Sequence, residues 1–272
     1  MTLAAPARLK IAYVALAAAD SWLAGSGAPR AHRARLVTKP LLMPTLAVSL
    51  VTNRRARTSP LRTTTLGALA FGWVGDLALL GRGTGALAAG TGSFGIGHAA
   101  YVSGLLLSRN LAIRIQDRTG ARIAAGIWAT SAPVMALGAY REEPALGPAV
   151  LGYTALLCGT LAASTNLDPR LPASSRRLAV AGAVLFVASD ATLGLRRFWW
   201  KSAPARIETL VMTTYTAAQL LLAEGAVRAV PWQPVSTGVV DEGGPGQKGR
   251  PRASPAADDP GRRGHRTSRC RS

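Results

Sequence analysis

The chain has 272 residues, 49% of them hydrophobic and only 17% charged, yet 32 Lys+Arg against 13 Asp+Glu leave a formal net charge of +19. Soluble proteins average about 25% charged residues, and a nucleic-acid binder this basic should carry its charge as patches on a polar surface. Here the arginines stand in short clusters between long apolar runs, which excludes a soluble DNA-binding protein and disorder over most of the length, and points to a polytopic membrane protein.

A bilayer core of about 30 Å needs about 20 largely apolar helical residues. Eight segments approach that length, at about 9–25, 39–53, 63–80, 86–108, 122–140, 146–165, 178–195 and 207–228. The expected fold is therefore all-α, a bundle of about eight transmembrane helices over residues 1–230, followed by a separate tail over 231–272. Span 1 opens as a signal peptide would, with Arg8 and Lys10 ahead of an alanine-rich stretch, but Asp20 and the seven further spans favour a retained helix. Span 2 begins TKPLLMP, where Thr38 suits a cap and Pro40 the first turn. Span 3 carries LAFGWVGD and ends on Asp76, with Gly72 one turn earlier on the same face.

Span 4 reads GTGSFGIGHAAY, placing His98 one turn from Phe94 and from Tyr101. Its Gly90–Gly95 stretch satisfies G-x-G-x-x-G, but no strand precedes it, so the dinucleotide reading fails and close helix packing or room for a lipid chain replaces it. Span 5 has no Lys, Arg, Asp or Glu from Ile123 to Tyr140. Cys158 in span 6 reads as a small packing residue, and with Cys270 in the tail it forms no metal-type pair. Span 7 reads FVASDATLGLRRF, with Arg197 seven residues after Asp190 and so on nearly the same face. Tyr215 and Gln219 in span 8 are weaker candidates for a polar lining. The tail, dense in Pro, Gly, Ser and Arg, cannot bury enough surface to offset its ordering entropy and reads as disordered.

Counting Lys+Arg by side of an eight-span topology gives 22 with the termini and 10 opposite. The positive-inside rule then places both termini in the cytoplasm of a multi-pass cell-membrane protein. Asp20, Lys39, Asp76, Asp190, Arg196, Arg197 and Glu208 all fall toward the other, outer side. A charge at a helix centre costs about 2.5–3.5 kcal/mol on insertion scales. Their common depth therefore predicts one polar chamber open to the non-cytoplasmic side, with Asp76 and Asp190 inside it. Asp20 and Glu208 read instead as wet interface residues, and Arg196, Trp22, Trp199 and Trp200 as interfacial anchors.

The KP, GD, F-x-x-x-H-x-x-Y and SD…RF elements, in this order, resemble the lysoplasmalogenase family of eight-span membrane proteins, whose bacterial members are called YhhN-like. The resemblance covers roughly residues 9–228. It implies hydrolysis of the vinyl ether bond of a lysophospholipid substrate, a lysoplasmalogen, releasing a fatty aldehyde and a glycerophospho-alcohol. Such a bond opens by protonation of its β-carbon, giving an oxocarbenium ion that water captures. Glycosidases meet the analogous ion with two carboxyl groups in different environments. Asp76 and Asp190 form the corresponding pair here, with their acid and base roles open.

His98 either positions water or donates to the leaving oxygen, or packs as a hydrogen-bonded helix histidine beside Tyr101, itself a candidate contact for substrate. Lys39 and Arg197 are candidates for the headgroup phosphate, or else snorkelling anchors. No cofactor or metal is implied, the partners are lipids rather than nucleic acid, and the oligomeric state is not readable. The competing functions are a transporter that uses the aspartates for protons or solute, and a non-catalytic lipid-binding protein.

Overall fold

The computed structural model describes residues 4–109 and 118–230. The tail at 231–272, including Cys270, and the arginine at 114 lie outside the described residues. Eight helices occupy the positions of the expected spans: α1 (Ala5–Gly25), α2 (Pro29–Thr52), α3 (Arg62–Ala78), α4 (Thr84–Leu107), α5 (Arg118–Glu142), α6 (Leu146–Ser164), α7 (Ala173–Gly194) and α8 (Arg206–Arg228). A 3₁₀ turn at Arg54–Thr58 links α2 to α3, and α7 runs on into a π-helical turn, Leu195–Trp199. Five of the helices are long and apolar enough to cross a membrane: α2, α5, α6, α7 with its π turn, and α8. Of the others, α1 carries Arg8, Lys10 and Asp20, α3 has 17 residues, and α4 is diluted by glycine and hydroxyl residues.

Consecutive helices pair as hairpins, α1 with α2, α3 with α4, α5 with α6 and α7 with α8. Further packing of α2 on α3, α4 on α6, α6 on α7 and α8 on α1 closes a seven-helix ring, with α5 outside it against α6 and the π turn. Ile11, Val14, Val48, Val74, Ile96 and Val184 are exposed, as suits helices whose outer faces meet hydrocarbon rather than water. Inside, Leu42, Leu46, Leu69, Phe186 and Leu222 share the main core.

Small residues let the helices approach, since lipid supplies no hydrophobic drive for association. On α7 the buried residues Ser175, Ala179, Gly182, Phe186 and Ser189 recur at helical spacing on one face, which packs against α8. A Cβ on Gly182 would lie 3.0 Å from the Ala218 carbonyl oxygen. The Ser175 and Ser189 hydroxyls donate to the carbonyls of Gly225 and Val211, at 2.7 and 3.0 Å. The glycine-rich stretch of α4 acts the same way in part: Gly97 lies against the Ala68 backbone and Gly90 against Leu79, whereas Gly92 meets nothing within 4 Å.

The start of α2 differs from expectation. The helix begins at Pro29, at its first position, after Gly27 with a φ of 63°. Thr38 is not its cap, and Pro40 and Pro44 lie in the helix interior. A proline there removes the N–H that would bond the carbonyl four residues back. For Pro44 that carbonyl is Pro40 O, and the indole Nε1 of Trp73 on α3 donates to it at 2.9 Å. The bond also pins α2 against α3 one residue from Lys39 and three from Asp76.

Candidate active site

A cavity of about 510 Å³ opens at one end of the bundle. Its walls come from the beginning of α2 and α8, the end of α3, the α3–α4 connection, the first half of α4, the middle of α5 and α6, and the end of α7 with its π turn. This is the end at which the charged residues were expected to gather. Lys39, Asp76, Asp190 and Arg197 line it together, among largely apolar neighbours such as Leu87, Ile127, Met135 and Leu157.

Asp76 is 1% exposed and accepts on both oxygens. Lys39 Nζ lies 3.3 Å from Oδ1, and the Tyr215 hydroxyl donates to Oδ2 at 2.8 Å. Lys39 is itself buried, so it is a cavity residue and not a snorkelling anchor. Behind Tyr215 the bonding has a fixed direction. Tyr101 donates to Gln219 Oε1 at 2.6 Å, which turns the amide nitrogen toward the Tyr215 oxygen, 3.5 Å away. Receiving there, Tyr215 has one hydrogen to give, and it goes to Asp76. Gly72 makes room for this arrangement, because a Cβ would lie 3.2 Å from Gln219 Nε2.

Asp190, on α7, accepts from the Tyr153 hydroxyl on α6. Among the described residues no Lys, Arg or His is within ion-pair distance of it. The two carboxyl groups thus face one cavity in unlike surroundings, one matched by a cation and the other by a phenol alone.

His98 and Tyr101 stand outside the lining. His98 is 1% exposed, with Nδ1 at 3.0 Å from Thr160 Oγ1. Thr160 spends its own hydrogen on the Leu156 carbonyl, so the imidazole proton belongs on Nδ1, and Nε2 has no partner among the described residues. The His98 ring packs edge-on against Phe186 and Tyr153, at centroid distances of 4.5 and 5.7 Å. Both of those rings line the cavity. His98 therefore reaches the site through them.

At the mouth, Arg197 pairs with Glu142 at 3.0 Å and Arg196 with Glu208 at 2.8 Å. Arg197 lies in the π turn, where the α-helical spacing that related it to Asp190 no longer holds. Trp22, Trp199 and Trp200 are exposed, and the Arg141 guanidinium sits 5.1 Å over the Trp199 ring. Asp20 is not at a wet interface. It is fully buried, held by Arg35 through Nε and Nη2 at 3.3 Å each and by the Thr38 hydroxyl at 2.7 Å. Cys158 is buried and also lines the cavity. No group of three His, Cys, Asp or Glu among the described residues is placed to hold a metal ion.

Sequence reasoning missed Tyr153, Arg35 and Arg82 and undervalued Tyr215. The available signal was a phenol inside an apolar span, which needs a partner for its hydroxyl.

Comparison with protein families matches residues 34–226 to the YhhN family. The chain belongs to the YhhN family. That family includes lysoplasmalogenases. The YhhN match takes in Lys39, Asp76, His98, Asp190 and Arg197 but begins after α1, so Asp20 lies outside it. No curated protein and no solved structure matches the chain.

Proposed function

We propose that this YhhN-family chain is a membrane-embedded ether hydrolase that cleaves the vinyl ether bond of lysoplasmalogens. The observation that carries the reading is the pair of unlike carboxyl groups, Asp76 and Asp190, opening on one largely apolar cavity. Asp76, with Lys39 on one oxygen and Tyr215 on the other, serves as the carboxylate. Asp190, without a cation, serves as the acid.

The sequence balances as follows. Asp190 gives its proton to the β-carbon of the vinyl ether, leaving an oxocarbenium ion that the Asp76 carboxylate stabilises. Asp76 then takes a proton from water as the water oxygen bonds to the α-carbon. In the collapse of the hemiacetal, Asp190 recovers the hydroxyl proton and Asp76 protonates the departing glycerol oxygen. Aldehyde and alcohol leave, and both carboxyl groups regain their starting states. His98 positions Phe186 and Tyr153, and through Tyr153 the acid. Tyr101 positions Tyr215 through Gln219.

Against a transporter stands the cavity's position, since its lining comes from one end of the bundle whereas transport needs a route to both. By the charge rule that end faces away from the cytoplasm. The test is release of long-chain aldehyde from lysoplasmenyl-ethanolamine or -choline by purified protein. Asp76→Asn and Asp190→Asn should each lower the rate by about 100-fold or more. No aldehyde from the unaltered protein, or full activity in both variants, overturns the reading. Solute uptake into proteoliposomes that both substitutions abolish would support transport instead.

A further inference from the structure

We propose that the mouth of this cavity contains an anion subsite, built from Arg35 and Arg82, that receives the phosphodiester of a lysophospholipid headgroup. The identity of the lipid rests on the hydrolase reading; the subsite itself rests on how the cations are matched. Arg35, Lys39, Arg82, Arg196 and Arg197 all line the cavity. Four of them pair with carboxylates: Lys39 with Asp76, Arg196 with Glu208, Arg197 with Glu142 and Arg35 with Asp20. Lys39 and Arg197, the sequence candidates for phosphate, each face a carboxylate at the site.

Arg35 and Arg82 are the two with donors to spare. Arg82, on the α3–α4 connection, is exposed and makes no ion pair among the described residues. Arg35 is gripped from behind. Asp20 is fully buried, does not line the cavity, and receives Nε and Nη2 of Arg35 together with the Thr38 hydroxyl. A guanidinium has five N–H donors, and this grip leaves the Nη1 pair over for another acceptor. A buried carboxylate that fixes an arginine on a cavity wall is the support that a preorganised oxyanion receptor requires.

The placement suits the substrate. Arg35 lies four residues before Lys39 on α2, just over one turn or about 6 Å nearer the mouth. A phosphate held at Arg35 and Arg82 would leave the three glycerol carbons to span that turn and bring the sn-1 ether oxygen to the level of Asp76. The alkenyl chain would then continue into the apolar part of the cavity near Ile127 and Leu157.

The experiment compares lysoplasmenyl-choline with the neutral alkenylglycerol that lacks phosphate, in unaltered protein, Arg82→Ala and Asp20→Asn. The ratio of kcat/KM for the two substrates should fall at least about tenfold in both variants. Should Asp20→Asn fail to fold, Arg82→Ala, at an exposed position, still decides the matter. A parallel measurement follows binding of the uncleavable alkyl lysophosphocholine and of alkylglycerol, and should show the same loss of preference. An unchanged ratio and unchanged binding preference in Arg82→Ala overturn the subsite. Competition by inorganic phosphate, with no preference between the two lipids in unaltered protein, assigns the cations to free phosphate and overturns the headgroup assignment. Absence of aldehyde from either lipid defeats the hydrolase reading alone, because the binding comparison still reports on the subsite.

Discussion

Replacing Lys39 by Met separates the energetic role of the Lys39–Asp76 pair from its chemical role. At the observed 3.3 Å, an effective dielectric of about 20 gives an attraction of about 5 kcal/mol. Desolvation of both groups offsets much of this, so the intact pair adds little net stability. Removing one partner is different: it leaves a buried charge unmatched and costs about 3–5 kcal/mol. For a body of this size that corresponds to a fall in the detergent melting midpoint of roughly 10 °C. The double variant Lys39→Met/Asp76→Asn removes both charges, while the amide oxygen can still accept from Tyr215. It should recover most of the lost stability and none of the aldehyde release. Melting curves and the aldehyde assay on the unaltered protein, the two single variants and the double variant decide it. If Lys39→Met melts like the unaltered protein, or if the double variant is no more stable than the singles, Lys39 and Asp76 are not coupled in the way their geometry implies.

Trp73→Phe removes the donor to the Pro40 carbonyl and should cost about 1–3 kcal/mol, read as a lower melting midpoint; an unchanged midpoint would mean that another group satisfies that carbonyl. Tyr153→Phe and Tyr215→Phe each take the hydroxyl from one carboxyl group and should lower kcat about tenfold or more with little change in KM, whereas a change confined to KM would make the tyrosines substrate contacts. Gly182→Leu forces a side chain toward the Ala218 carbonyl and should separate α7 from α8, with poor yield of folded protein. Normal yield and activity would show that this helix pair can spread without loss.

That Lys39, Asp76 and Asp190 share one chamber was legible because charge is scarce in this sequence, although the lining is largely apolar where a polar one was expected. Each ionisable residue within a span needs a partner, and counting depth along the spans was enough to bring Lys39, Asp76 and Asp190 to one end. What stayed hidden depends on which neighbours face each other. Asp20 lies near the end of α1, where an interface would satisfy it, and only the extension of α2 back to Pro29 supplies Arg35 and Thr38. That extension was obscured by Arg30, Arg33 and Arg35, which read as a loop, and by Pro40, which suits a first turn. Tyr153 carries no charge and sits in an apolar run, so nothing in local sequence marked it as the partner of an aspartate 37 residues later. The π turn shifts Arg197 by a rotation that α-helical spacing does not describe.

In the eight-span reading, where α1 crosses the membrane beside α2, the Asp20–Arg35 pair has a consequence for how the two helices enter it. Presented alone, α1 would carry a carboxylate into the membrane and the first turns of α2 a guanidinium, a cost that reaches about 2.5–3.5 kcal/mol at a helix centre on insertion scales. Presented together, with Gly27 turning the chain back between them, the two helices cancel these charges against each other. The pair therefore favours entry of α1 and α2 as one hairpin. On this view Asp20→Leu should let α1 integrate by itself, while Arg35→Leu should delay the pair, and glycosylation tags placed in the connecting turn would report which of the two occurs during synthesis.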